Sequence, residues 1–220
     1  MIADYADRIQ TVVWDWNGTL LDDVDICVTS INILLQKRKL PLLDKNRYRE
    51  LFNFPVSVYY EQIGFDFSKE DYESIADEFM EVYFNHLPVA TLTKDVIDML
   101  QLFTSAGQHQ LIISAMRQED LDASVFRYGI RSYFSGIYGA RDHFANGKIG
   151  HARSVFGELS IDPRNALLLG DTCHDAELAS ALGCHCILFS GGHFSKGRLA
   201  PCGYPVATSM NEILQIFYGN

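Results

Sequence analysis

No run of about 18 consecutive apolar residues occurs in the chain, so no membrane-spanning helix is expected. Low-complexity tracts and internal repeats are missing as well, which excludes solenoids, propellers and long disordered tails. Residues 1–10 carry Asp4, Asp7 and Arg8 and lack an apolar region, so a secretory signal is not expected there. Positive charge is scarce: 18 Lys and Arg stand against 28 Asp and Glu, a net charge of −10. That balance argues against a nucleic-acid partner, because phosphate backbones select clustered basic side chains. The basic cluster Lys37-Arg38-Lys39 follows an apolar helical stretch and is expected to be solvated charge at a helix C-terminus. Cysteine is sparse and scattered: Cys27, Cys173, Cys184, Cys186 and Cys202 form no zinc-spaced set with a second Cys or His pair. Free thiols in a reducing cytoplasm are the expectation.

What is present suits a globular protein. The 220 residues are 48% hydrophobic, enough to bury a core in one domain or one plus a small partner. Thr11-Val12-Val13-Trp14 is a short β-branched apolar run, predicted as a buried strand that ends at Asp15. From residue 22 to 87 the pattern turns helical. Val24, Val28, Ile31 and Leu35 recur at helical spacing up to Pro41, and a second helix runs from Pro55 towards Gly64. A third is expected to be capped by Ser68 with Asp71, showing Ile75, Phe79, Val82, Tyr83 and His86 on one face. With no good strand in it, this stretch is predicted to be an inserted helical subdomain.

After Pro88 strands and helices alternate. Val96, Ile97, Leu100 and Phe103 make a helical stripe that Gly107 ends. Strands are predicted at 111–113, 136–139, 166–169 and 184–189, and helices at 118–128, 151–159 and 174–182. Ser209-Met210-Asn211-Glu212 has the form of a capping box opening a last helix. Such alternation implies an α/β fold with a parallel sheet covered on both faces, because parallel strands need crossover connections. Ligands of these sheets bind at the carboxyl ends of the strands. Asp15, Ser114 and Asp171 each fall at or just past such an end.

Asp15-Trp16-Asn17-Gly18-Thr19-Leu20 puts a carboxylate at a strand tip before a tight turn whose backbone amides can meet phosphoryl oxygens. A plain Asn-Gly turn explains the same residues. Gly170-Asp171-Thr172-Cys173-His174-Asp175 carries two carboxylates four residues apart across a strand-to-helix turn. With Asp15 they can supply hard oxygen ligands for magnesium, or else only cap the next helix. The Ser114 hydroxyl and Ala115 amide can bind phosphate, or form an N-cap. Lys148, in a loop after Asn146-Gly147, can bring a positive charge to the same phosphate, or stay in water.

In this order and spacing, the four segments resemble the four motifs of haloacid dehalogenase-like phosphatases, over essentially the whole chain. The helical insert resembles the cap of the phosphoglycolate phosphatase-like branch. The resemblance implies a Rossmann-like three-layer core (1–21 and 88–220) with an all-helical cap (22–87). By it, Asp15 is the nucleophile that becomes an aspartyl-phosphate on a small phosphorylated metabolite. Gly18, Thr19, Ser114, Ala115 and Lys148 hold the phosphoryl group. Asp15, Asp171, Asp175 and the Asn17 backbone carbonyl hold Mg2+. Gly191-Gly192 after Phe189 also suits the family.

One residue departs from that pattern. Where these phosphatases usually carry a second Asp as general acid and base, this chain has Asn17. An amide neither gives nor takes a proton in this pH range. The resemblance therefore leaves three outcomes: a phosphatase favouring good leaving groups such as acyl phosphates, one in which His174 takes over the proton, or a phosphate-binding protein with weakened turnover. The Asp-Trp-x-Gly-Thr motif is also similar to that of phosphonoacetaldehyde hydrolases, for which Lys37, Lys39, Lys45 or Lys69 would have to form a Schiff base. A phosphosugar mutase is disfavoured, since it needs the missing acid/base. Nothing in the cap, including Arg47, Tyr59 and Tyr60, declares a substrate, and the oligomeric state is not legible.

Overall fold

The computed structural model of the chain describes residues 6–140 and 147–219. The N-terminal residues 1–5, and Asn146 ahead of Lys148, lie outside the described residues.

The first strand, β1 (Thr11–Trp14), is buried along its whole length and leads through the Asp15–Leu20 turn into the short β2 (Leu21–Asp22). Four helices follow: α1 (Val24–Lys37), α2 (Lys45–Leu51), α3 (Val56–Gln62) and α4 (Tyr72–His86). They form a helical cap region, closed by β3 (Thr91–Leu92), which pairs antiparallel with β2 as a two-stranded stem. The chain then alternates through α5 (Val96–Ser105), β4 (His109–Arg117), α6 (Gln118–Arg127), β5 (Gly136–Ala140) and α7 (Gly147–Glu158). It ends with β6 (Ala166–Gly170), α8 (Cys173–Leu182), β7 (His185–Phe189), α9 (Lys196–Leu199), β8 (Val206–Ala207) and α10 (Met210–Tyr218).

The main sheet has the order β5-β4-β1-β6-β7-β8, and every pairing in it is parallel. Side-chain alternation divides the core in two. Val12, Trp14, Ile112, Leu167, Leu169 and Ile187 pack on one face with Phe103 and Phe217 of α5 and α10. Val13, Leu111, Ile113, Leu168 and Leu188 pack on the other with Ala152, Val155 and Ala179 of α7 and α8. Each fully buried aliphatic side chain of this kind stabilises by about 1.5–3 kcal/mol before entropy is set against it. The result is the expected Rossmann-like three-layer core.

Several local expectations need correcting. Helix α4 is capped by Asp71, whose carboxylate accepts from the Ser74 amide, while the Ser68 hydroxyl is held by Asp66. Asp71 at the N-cap starts the first turn three residues later than the Ser68 spacing implied. The capping box at α10 is only half made. Ser209 accepts from the Glu212 amide, but the Glu212 carboxylate grips the Thr208 amide and hydroxyl. Helix α2 was missed because only Tyr48 of its seven residues is buried, so no apolar stripe marks it. Arg38 is not solvated charge: it is half-buried and paired with Glu70 and Glu78, with Lys37 on Glu78, tying α1 to α4. Cys173 and Cys202 are paired, with Cα atoms 6.1 Å apart, so the expectation of free thiols holds only for Cys27, Cys184 and Cys186. Among the described residues no helix is long and apolar enough to cross a membrane.

The cap is held to the core by two arginines. Arg49 of α2 donates to the carbonyls of Ser190 (3.1 Å), Gly191 and Gly192 (2.7 Å) beyond β7. Arg198 of α9 donates back to the carbonyls of Arg49 (3.0 Å) and Phe52. Charge-assisted bonds of this type contribute about 1.5–3 kcal/mol each. Arg49→Ala should therefore raise hydrogen exchange of the 190–193 amides by about 10-fold or more. Unchanged exchange there would show that the cap docks without this clamp.

Candidate active site

Register explains how the site assembles. Trp14 lies opposite Ile112 of β4 and Leu169 of β6. The residue after Trp14, Asp15, thus emerges level with the ends of both neighbours, its amide donating to the Leu169 carbonyl at 2.9 Å. Asp171 follows β6 at that edge. Ser114 stands where the β4–β5 ladder loses register between Ile113 and Arg117; its hydroxyl accepts from the Met116 amide at 3.1 Å, and it is buried. Strand β4 runs on past Ser114 instead of ending before it, and the register break is what marks the tip.

Asp15, Asp171 and Asp175 converge: one carboxylate oxygen from each lies within 4.8 Å of the others. Lys148 is not in a loop but in the first turn of α7, and its ammonium donates to Asp15 and, at 2.7 Å, to Asp175. Asp175 does two jobs. Its Oδ2 caps α8 by accepting from the Thr172 amide and hydroxyl, and its Oδ1 faces Lys148. Asp171 is fully buried, accepting from the His193 amide at 2.5 Å and the Thr19 hydroxyl at 3.3 Å. Glycine is required beside it. A Cβ on Gly192 would stand 2.1 Å from Asp171 Oδ2, and one on Gly18, whose φ is +73°, 2.3 Å from the same oxygen.

The groups of Gly18 and Thr19 that were expected to hold phosphate are engaged by carboxylates of the site. The Gly18 amide donates to Asp23 at 2.9 Å and the Thr19 hydroxyl to Asp171, so both hold carboxylates of the site in place. His174 is also placed differently from its proposed acid/base role. It is 43% exposed at the start of α8, 3.2 Å from Glu177 and packed against the Phe54 ring. The histidine inside the carboxylate cluster is His193. Its Nε2 lies 3.3 Å from Asp23 Oδ1 and its Nδ1 3.0 Å from the Tyr48 hydroxyl, in a fully buried setting. Sequence reasoning missed both His193 and Asp23. His193 follows Gly191-Gly192 at the β7 tip, so the strand-tip rule applied once more would have found it. Asp23 resembles a routine N-cap ahead of α1, yet it makes no cap bond.

Asn17 is fixed from two sides. Its Nδ2 donates to Asp23 Oδ2 and to the Tyr83 hydroxyl of α4, each at 2.8 Å, and Tyr83 in turn donates to Asp23 Oδ2 at 2.8 Å.

The electrostatics follow from burial and from who faces whom. Burial pushes Asp15 up to about 6, with Lys148 opposing and Asp175 adding. Burial pushes Asp171 further, to about 8, because His193 offsets it only in part and Asp15 and Asp175 add to it. Burial also disfavours ionised Asp175, but Lys148 and Thr172 bring it below its ordinary value. Burial opposes the charge on Lys148, but Asp15 and Asp175 hold it above the usual lysine range. Burial would lower His193, yet Asp23, Asp171 and Asp15 raise it to about 9. The cluster is thus short of positive charge around Asp171, and an all-carboxylate donor set suits a hard divalent cation.

A parallel sheet of this order, a helical insertion after the first strand and three carboxylates with a lysine at the strand tips together define a phosphotransfer hydrolase of the Rossmann-like type. The chain belongs to the haloacid dehalogenase-like hydrolase family, whose sequence profile matches residues 12–189. It is 23% identical over 174 residues to N-acetylmuramic acid 6-phosphate phosphatase of Pseudomonas aeruginosa, covering 77% of this chain and 76% of that protein. It is 23% identical over 207 residues to phosphoglycolate phosphatase 1 of the same organism, covering 88% and 74%. A haloacid dehalogenase-like family hydrolase of Streptococcus pneumoniae shares the fold with a TM-score of 0.83 at 19% identity, covering 96% of this chain and 99% of that one. A predicted phosphoglycolate phosphatase of Haemophilus somnus does so with a TM-score of 0.78 at 18% identity, covering 95% and 98%. The chain is an enzyme of the phosphatase type within this family, similar to phosphoglycolate phosphatases.

Lys148→Met removes the cation that Asp15 and Asp175 share and leaves two buried carboxylates facing each other. In EDTA this should cost roughly 3 kcal/mol by urea denaturation. An unchanged unfolding midpoint would mean that Lys148 does not neutralise the pair.

Proposed function

We propose that the protein is a magnesium-dependent phosphatase of a small phosphorylated metabolite, working through an aspartyl-phosphate on Asp15. The observation that carries this reading is the convergence of Asp15, Asp171 and Asp175 at the sheet edge with Lys148 bridging two of them. One oxygen of Asp15 forms a bond to phosphorus as the bond to the substrate's leaving oxygen breaks, and that oxygen takes the electron pair. Water then attacks the phosphorus and returns Asp15 as a carboxylate. Lys148, Ser114 and the Ala115 amide hold the phosphoryl oxygens. Asp15, Asp171, Asp175 and the Asn17 carbonyl would hold magnesium, which when bound would supply Lewis-acid stabilisation of the phosphoryl charge. The relatives, named as phosphatases of N-acetylmuramic acid 6-phosphate and phosphoglycolate, support the substrate class. The division into a core (1–21 and 88–220) and a cap (22–87) is part of the same reading.

Substrates with good leaving groups should be favoured, because the Asn17 amide cannot protonate a leaving alkoxide. A Schiff-base route draws no support from the cap. Lys37, Lys45 and Lys69 are paired with Glu78, Asp25 and Asp66, and Lys39 is exposed. Tyr59 and Tyr60 are buried in an aromatic cluster and Arg47 is exposed, so none of the three supports a substrate assignment.

Alkyl and acyl phosphates assayed with and without magnesium test the reading. Turnover should require the metal, favour acyl phosphates and vanish in Asp15→Asn. Hydrolysis that survives Asp15→Asn would refute it. The pKa shifts give a second check. Asp15 and Asp171, raised to about 6 and about 8, bind more protons folded than unfolded, and so does His193, raised to about 9. The stability of the metal-free protein should therefore fall as pH rises from about 5 through about 9. Magnesium competes with the same protons, so its thermal stabilisation should be larger at about pH 8.5 than at about pH 6. Equal shifts at both pH values would contradict this.

A further inference from the structure

Asn17, Asp23 and the Tyr83 hydroxyl form a closed triangle with every edge 2.8 Å. An amide nitrogen has two hydrogens, and here one goes to each partner. That fixes which way the carboxamide points, since its oxygen turned towards Asp23 would meet a carboxylate. It also leaves an acceptor oxygen as all that the Asn17 side chain can offer a bound ligand. Asp23 is 1% exposed and takes five donors: the Gly18 amide, Asn17 Nδ2, the Tyr83 hydroxyl, His193 Nε2 and, at 3.8 Å, the Cys27 thiol. A buried carboxyl surrounded only by donors is held as an anion.

We propose that Asn17 and Asp23 are a matched amide–carboxylate pair: the charge at position 23 dictates the amide at position 17, and Asp23 is a positioning residue that sets the orientation of Asn17. The proposal rests on the phosphatase reading above and deepens it. Placing an aspartate at 17 does not by itself create an acid/base. Its carboxylate would stand about 2.8 Å from that of Asp23, where two carboxylates repel or share a proton. In neither case is a carboxyl free to serve the substrate. Exchanging both residues keeps the hydrogen bond and moves the charge. The amide brought to position 23 then donates to the carboxylate brought to position 17, while its oxygen still receives the Gly18 amide.

The test is a double-mutant cycle of Asn17→Asp, Asp23→Asn and the two combined, assayed on an alkyl phosphate with magnesium. Asn17→Asp alone should bring none of the kcat gain of an added acid/base and should lower Tm by ~2–4 °C. The double variant should recover Tm and exceed the single variant in kcat by at least about 10-fold, part of the roughly 10²–10⁴ that a positioned acid/base confers. The gain should fall on kcat, with KM changing less than about 3-fold, since neither side chain is assigned to hold phosphate. A full gain from Asn17→Asp alone, or a double variant no more stable and no faster than the single, overturns the pairing. Asp15→Asn run alongside separates the two failures. If it abolishes turnover while the cycle shows no coupling, only the pairing is wrong. If turnover persists in it, the phosphatase reading has failed.

Discussion

Negative charge gathered where the sheet ends is the constraint on which the rest of this structure depends. Three carboxylates meet at the tips of β1 and β6, in a place where burial alone would neutralise them. Lys148 compensates two of them. Asp171 receives an amide and a hydroxyl but, among the described residues, no paired cation of its own, and glycines at 18 and 192 let the backbone close around it. The fold supplies the rigidity this needs, because Asp15 and Asp171 directly follow adjacent parallel strands whose register is set by two independent layers of core, and Asp175 stands in the first turn of α8. Such an arrangement holds a latent attraction for a hard cation and for the phosphate that accompanies one.

A second buried anion, Asp23, organises the cap side. It draws in Asn17 and Gly18 from the turn after β1, Tyr83 from α4 and His193 from the loop after β7. The same loop is gripped by Arg49 from α2. Closure of the cap and the orientation of the Asn17 amide are thereby linked through shared partners. This gives the substitution at position 17 a physical context: the amide sits where a second carboxylate would face the first.

The parallel sheet, the inserted helices and the strand-tip carboxylates were legible because they leave periodic or positional marks: β-branched runs, helical stripes, and Asp or Ser directly after them. Asp15 and Asp171 were found in this way, Asp175 by its spacing from Asp171 and Lys148 by its place after Asn146-Gly147, and the structure brings the four together. Hidden features lacked such marks. Helix α2 buries one residue and has no stripe. Asp23 was hidden because a carboxylate ahead of a helix ordinarily caps it, whereas this one turns back to the loop before it. The Arg38 cluster, taken for solvated charge, is a bridge because Glu70 and Glu78 come from segments more than 30 residues away. Long-range pairing of this kind leaves no local trace.

The central claim is that one of the converging carboxylates bonds covalently to phosphorus. The most direct measurement is acid-quench trapping during turnover of an acyl phosphate with magnesium, followed by peptide mass mapping. The account predicts one phosphoryl group on Asp15, removable by hydroxylamine. Turnover accompanied by a phosphoryl group on another residue, or by none at any quench time under conditions that preserve acyl phosphates, would contradict it.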